Sequence, residues 1–134
     1  MSKSKLNVCL IDDDNIYQYT AKVLLESTGM TGQIYAFYNG LDALNFFTDH
    51  KDSNIEILPD VIFLDINMPV MNGWEFLEEY QKIYQSLAKS IVLYVVSSSV
   101  DTDDMVKSRS FSAVTDYLIK PVNRIKFMEL IARL

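Results

Sequence analysis

Residues 7–14 read Asn7-Val8-Cys9-Leu10-Ile11-Asp12-Asp13-Asp14 (NVCLIDDD), a short apolar run that stops abruptly at three consecutive carboxylates. A near-continuous run of this length, rich in Val and Ile, predicts a strand covered on both faces rather than one with a wet side. Three adjacent carboxylates at the end of such a strand repel one another, so something has to offset the repulsion. Cys9 lies inside the run and reads as a small core residue. As the one cysteine it has no partner for a disulfide within the chain.

The same pattern recurs. VIFL (61–64) and IVLYVV (91–96) are equally apolar, and with Leu6 to Ile11, Gln33 to Tyr38, Asp60 to Leu64, Ile91 to Val96 and Thr115 to Ile119 the chain carries five predicted strands. Between and after them lie five predicted helices, Asn15 to Ser27, Leu41 to Asp49, Gly73 to Gln85, Thr102 to Phe111 and Asn123 to Leu134. In the first, Ile16, Thr20, Val23, Leu24 and Ser27 recur at helical spacing and predict its inner face, with Gly29 as the stop. Trp74, Leu77 and Tyr80 are spaced similarly in the third. Asp101 followed by Asp104 resembles the start signal of the fourth, which is the least apolar of the set. Lys51 to Glu56 reads as a polar surface excursion. Strict alternation of strand and helix implies right-handed crossovers and a three-layer α/β domain whose ligands bind at the carboxyl ends of the strands.

Bulk properties narrow the function. With 134 residues, 49% of them hydrophobic, the chain is expected to form one domain with a sizeable core, over residues 1–134 and without an output domain. A formal charge of -6 leaves no cationic surplus to replace phosphate counterions, which disfavours direct nucleic-acid binding and points to a protein or a cation as partner. The amino-terminal MSKSKLNV lacks the apolar core of a signal peptide, and no stretch approaches the roughly 18 consecutive apolar residues of a membrane span. A cytoplasmic location without membrane insertion is therefore expected.

The chemistry gathers where the architecture predicts. The strands end in Asp12-Asp13-Asp14, in Asp65-Ile66-Asn67-Met68-Pro69, in Ser97-Ser98-Ser99 and in Lys120-Pro121. In a parallel sheet these four ends converge on one crevice containing carboxylates, hydroxyls and one ammonium. Clustered carboxylates are costly unless a hard cation neutralises them, and an oxygen-only set suits Mg²⁺, with Mn²⁺ as a substitute. An aspartate can accept a phosphoryl group as an acyl phosphate. That transfer needs positive charge and hydrogen-bond donors around the phosphoryl oxygens, as a metal, a lysine and a serine supply.

LIDDD, FLDINMPVMNGWEFL, VVSSS and DYLIKPV, in this order and spacing, resemble the receiver domain of two-component response regulators across essentially the whole chain. The resemblance implies a flavodoxin-like (βα)5 sandwich with a five-stranded parallel sheet of order 2-1-3-4-5. It implies Asp65 as phosphoacceptor, Asp12 and Asp13 as the acidic pair for Mg²⁺, with Asp13 the direct ligand and Asp12 acting largely through water, and Asn67 contributing its backbone carbonyl. Ser97 and Lys120 match the hydroxyl and ammonium that contact the phosphoryl group, and Lys120-Pro121 matches a cis peptide. Tyr117 matches an aromatic switch position coupled to Ser97, and Asn67 and Ser99 match positions that tune the phosphate's lifetime. The implied function is a non-enzymatic, stand-alone receiver in a phosphorelay. It would be phosphorylated by a histidine kinase or histidine phosphotransfer protein and would act on a downstream protein through the fourth helix, fifth strand and fifth helix. Ser97 in place of the frequent Thr, Ser98 in place of a small residue such as Ala, and a lengthened loop at Lys51 to Leu58 depart from the commonest pattern.

Structural readings stand beside these. Asp14 fits a helix cap, His50 an unremarkable place in a polar loop, Met68, Met71 and Trp74 packing around the loop after Asp65, and the tyrosines a half-buried surface. A phosphatase forming an aspartyl phosphate would carry a second aspartate where Asn67 stands. A flavodoxin-type cofactor binder would replace DDDN with a hydroxyl- and glycine-rich phosphate loop. A receiver-like adaptor that is never phosphorylated would not need the full residue set.

Overall fold

The computed structural model describes residues 5–53 and 55–134, so Asn54 and the first four residues of the MSKSKLNV reading lie outside it. Five parallel strands, β1 (Leu6–Ile11), β2 (Thr31–Phe37), β3 (Val61–Asp65), β4 (Val92–Ser97) and β5 (Asp116–Ile119), pair in the order β2-β1-β3-β4-β5. The helices are α1 (Asn15–Ser27), α2 (Gly40–His50), α3 (Gly73–Tyr80), α4 (Thr102–Arg109) and α5 (Arg124–Ala132). This is the flavodoxin-like order expected from the motifs.

The apolar strands are continuous because both sides of the sheet are covered, and their period of two divides the core cleanly. Val8 and Leu10 of β1, Val61 and Phe63 of β3, and Tyr94 and Val96 of β4 pack with Ala21 and Leu25 of α1 and Phe127, Leu130 and Ile131 of α5. Their neighbours Cys9, Ile11, Ile62, Leu64, Leu93 and Val95 face the opposite way, against Phe47 of α2 and Phe76, Leu77 and Tyr80 of α3. Trp74 of α3 stacks on Phe111, just past α4, at 6.3 Å between ring centroids, which places that end of α4 on the same layer. No helix among the described residues is long and apolar enough to cross a membrane.

Several local expectations change. In α1 the buried residues are Gln18, Ala21 and Leu25, whereas Ile16 is 79% exposed and Thr20, Val23 and Ser27 also face solvent. The helix is thus rotated from the face its most apolar residues suggest. Helix α3 stops at Tyr80 rather than near Gln85: Lys82 and Ile83 donate to the carbonyls of Glu79 and Tyr80, tightening the chain before a 3₁₀ turn at Tyr84–Ser86. That turn lets Ile83, Tyr84 and Leu87 pack on the core, a gain that an extended helix would forgo. Asp101 caps α4 through the Asp103 N–H, but Asp104 accepts from the Ser99 hydroxyl and forms no reciprocal cap. His50 is the last residue of α2, against Phe46 at 4.7 Å, rather than a loop residue. The tyrosines range from buried Tyr80 and Tyr94 to exposed Tyr19 and Tyr38. Gly29 ends α1 as expected, with φ +70° and its N–H on the Glu26 carbonyl.

Candidate functional site

Register brings the strand ends level. Ile11 pairs with Leu64, Asp65 with Val96, and Ser97 with Ile119, so Asp12, Asp65, Ser97 and Lys120 all stand within one residue of a single edge of the sheet. The backbone N–H of Asp12 donates to Phe37 and that of Lys120 to Ser97, which prolongs the pairing by one residue at each junction.

Each member of the aspartate triplet has a different environment. Asp12 is 3% exposed, with Oδ1 accepting the Asp14 N–H at 2.9 Å and Oδ2 accepting Lys120 Nζ at 2.7 Å. Asp13 is exposed. Asp14 caps α1, accepting the N–H groups of Ile16 and Tyr17 at 2.9 and 3.1 Å.

Asp65 is 7% exposed at the end of β3. The chain then doubles back so closely that the Gly73 N–H donates to the Ile66 carbonyl at 2.8 Å. A Cβ at Gly73 would stand 2.5 Å from the Asp65 carbonyl and 2.7 Å from the Ile66 Cα, so only glycine allows α3 to start there. Asn72 and Glu75 form a reciprocal capping box at that start. The intervening loop contains Val70 at φ +68°, flanked by a hydrogen bond from the Met71 N–H to the Pro69 carbonyl. A β-branched residue in this region is strained, and here it borders the site.

Lys120 joins the two aspartates, with Nζ 2.7 Å from Asp12 and 3.5 Å from Asp65, and the Lys120-Pro121 bond is cis. Burial pulls the ammonium's pKa down, but the hydrogen bond to Asp12 and the charges of Asp65 and Asp12 outweigh it, so the group is held above the usual lysine value. Asp65 moves the other way for a carboxyl: burial first, then the charge of Asp12, raises it to about 6 despite the attraction of Lys120. Asp12, Asp13 and Asp65 each bring a carboxylate oxygen within 4.8 Å of the others. One ammonium therefore leaves the acidic cluster short of positive charge, and this oxygen-only donor set fits a hard divalent cation.

The remaining expected residues form the rim. Ser97 is buried, and its Oγ accepts the Ser99 N–H at 3.1 Å. The Ser99 hydroxyl donates to Asp104 at 2.8 Å, and the Tyr117 hydroxyl donates to the Ser99 carbonyl at 2.9 Å, tying β5 to the loop before α4. Asn67 is exposed, two residues beyond Asp65.

Two residues of α1 escaped the sequence reading. The Gln18 amide nitrogen lies 3.0 to 3.2 Å from the carbonyls of Leu10, Asp12 and Phe37, fastening α1 to the ends of β1 and β2. Tyr17 presents its ring to Lys120 Nζ at 4.2 Å from the centroid, while its buried hydroxyl has no hydrogen-bond partner. The sequence gives neither residue a role at the site, because Gln18 reads as solvated helix surface and Tyr17 as one of several half-buried tyrosines.

A parallel α/β domain that gathers three aspartates and a lysine at its carboxyl edge has the layout of a signalling receiver. The chain belongs to the response regulator receiver domain family, whose model matches residues 8–132. It is 28% identical over 116 residues to the probable methanogenesis regulatory protein FilR2 of Methanothrix harundinacea, covering 87% of this chain and 72% of that protein. It is 32% identical over 120 residues to the sensor histidine kinase CheAY of Helicobacter pylori, covering 90% of this chain but 14% of the kinase. Among solved structures, a two-component response regulator from Cytophaga hutchinsonii superposes with a TM-score of 0.83 at 26% identity, over 98% of this chain and all of that one.

Proposed function

We propose that Asp65 accepts a phosphoryl group from the phosphohistidine of a histidine kinase or histidine phosphotransfer protein, with Mg²⁺ held at Asp13, Asp65 and the Asn67 carbonyl. Asp12 acts on the metal mainly through water, since both its oxygens already accept hydrogen bonds. The observation that carries this reading is the sharing of one ammonium between Asp12 and Asp65 beside an exposed third carboxylate.

A carboxylate oxygen of Asp65 attacks phosphorus as the P–N bond to the donor imidazole breaks, leaving an acyl phosphate on Asp65 and the imidazole as leaving group. With a pKa of about 6, Asp65 is mostly ionised at neutral pH and ready to attack. Lys120 needs only a short displacement from its 3.5 Å position to pair with the incoming oxygens. Ser97, next along β4 from the strand partner of Asp65, is placed to donate its hydroxyl to them. A divalent cation held by the acidic cluster would supply further positive charge to the same oxygens.

Output follows from the tether on Tyr117. A shift of Ser97 toward a phosphoryl oxygen alters its bond from Ser99, whose carbonyl holds Tyr117, and biases the surface formed by α4, β5 and α5 toward a protein partner.

The test is direct. In acetyl phosphate or phosphoramidate with Mg²⁺, the protein should gain about 80 Da, one phosphoryl group, and Asp65→Asn or excess EDTA should abolish the gain. A wild type that stays unmodified under these conditions overturns the proposal.

A further inference from the structure

The Lys120 side chain is only about one-fifth exposed, yet lysine carries a compact, strongly hydrated charge on a flexible stem. Something has to hold it away from water. Two carboxylates account for part of its surroundings, Asp12 at 2.7 Å and Asp65 at 3.5 Å. The third feature is the face of the Tyr17 ring, 4.2 Å from Nζ to centroid. The ammonium thus has one carboxylate in hydrogen-bond contact, a second at ion-pair distance and a π face beside it.

The Tyr17 hydroxyl contributes no bond to this arrangement. It is buried without a partner, a condition that folded proteins seldom tolerate without a reason. What Tyr17 offers the site is its ring.

We propose that Tyr17 is a positioning residue that acts through Lys120, its ring face holding the ammonium between Asp12 and Asp65 so that it is preset for phosphoryl oxygens on Asp65. The inference rests on the receiver reading above. The ring also has a consequence for specificity: with water kept from one side of Lys120, the ammonium favours an anion arriving at Asp65 over its own hydration. A non-aromatic residue at position 17 leaves the four-carbon stem free to swing outward.

Tyr17→Phe keeps the ring and removes the idle hydroxyl, whereas Tyr17→Leu and Tyr17→Met remove the ring and keep an apolar side chain. In Mg²⁺, beryllofluoride should bind wild type and Tyr17→Phe within about twofold of each other. It should bind both ring-less variants about two- to thirtyfold more weakly, the range for a cation–π contact. Affinity for Mg²⁺ alone should not fall in any of them, because the carboxylates are untouched. Independently, the Lys120 Hε resonances should show an upfield ring-current shift in wild type and Tyr17→Phe that is lost in Tyr17→Leu and Tyr17→Met.

Unchanged beryllofluoride affinity in both ring-less variants overturns the proposal, as does a Tyr17→Phe as weak as Tyr17→Leu, which would assign the effect to the hydroxyl. A parallel loss of Mg²⁺ affinity also overturns it, since general damage to the acidic cluster would then explain the result. A wild type that binds no beryllofluoride counts against the receiver reading instead, and the Lys120 resonances then decide by themselves whether the ring holds the ammonium.

Discussion

At the scale of single residues, folding and chemistry make opposite demands on Asp65. Burial and the charge of Asp12 raise its pKa from 3.8 to about 6. A native carboxyl that holds its proton more tightly than the unfolded chain favours the fold in acid, fully below about pH 4, and this contribution disappears as pH rises through about 6. The shift corresponds to up to about 3 kcal/mol. Asp65→Asn removes this burden, so in EDTA near pH 8 the variant should be about 1–3 kcal/mol more stable than wild type, and the advantage should vanish below about pH 4. Thermal melts across that range provide the check, and a variant less stable at pH 8 would mean that losing the Lys120 attraction matters more. That Asp65 and Lys120 belong to one site was legible from their places at strand ends. That Asp12 rather than Asp65 takes the shorter bond to Lys120 was not, because it depends on side-chain geometry across separate strands.

At the scale of elements, α1 shows where periodicity misleads. Its sequence carries two candidate stripes at helical spacing, one through Ile16 and Val23 and one through Ala21 and Leu25, and the more hydrophobic stripe is the wrong one. Gln18 helps to decide. It is 3% exposed because its amide meets the carbonyls of Leu10, Asp12 and Phe37, which would otherwise lie under the helix with fewer partners. Gln18→Leu fits the apolar surroundings but removes the side-chain donor from these carbonyls, of which Phe37 keeps the Asp12 N–H, and should lower stability by about 1–3 kcal/mol, the cost of one unsatisfied buried group. Urea denaturation measures this; a loss below about 0.5 kcal/mol would show that the carbonyls find other donors. The early stop of α3 has the same origin, since the burial of Ile83, Tyr84 and Leu87 outweighs local helix propensity.

At the scale of the whole molecule, the fold assembles a charge cluster that it only partly neutralises, in a protein with a net charge of -6. A cation that binds the native cluster and not the unfolded chain stabilises by mass action, by about 2.7 kcal/mol at a hundred times its Kd. Mg²⁺ should therefore raise the melting temperature beyond a monovalent salt of equal ionic strength, and Asp13→Asn should remove most of that increment. Equal melting temperatures in the two salts would count against a metal site. By itself the sequence determined the class of fold and the strand ends that carry its chemistry: unbroken apolar runs alternating with helices specify covered parallel strands, and parallel strands have their carboxyl ends on one edge. Only the tertiary structure decided which face of α1 turns inward, where α3 stops and what surrounds the lysine. Those outcomes depend on hydrogen bonds and packing between residues far apart in the chain, such as Gln18 with Phe37 and Tyr17 with Lys120, which no local pattern records.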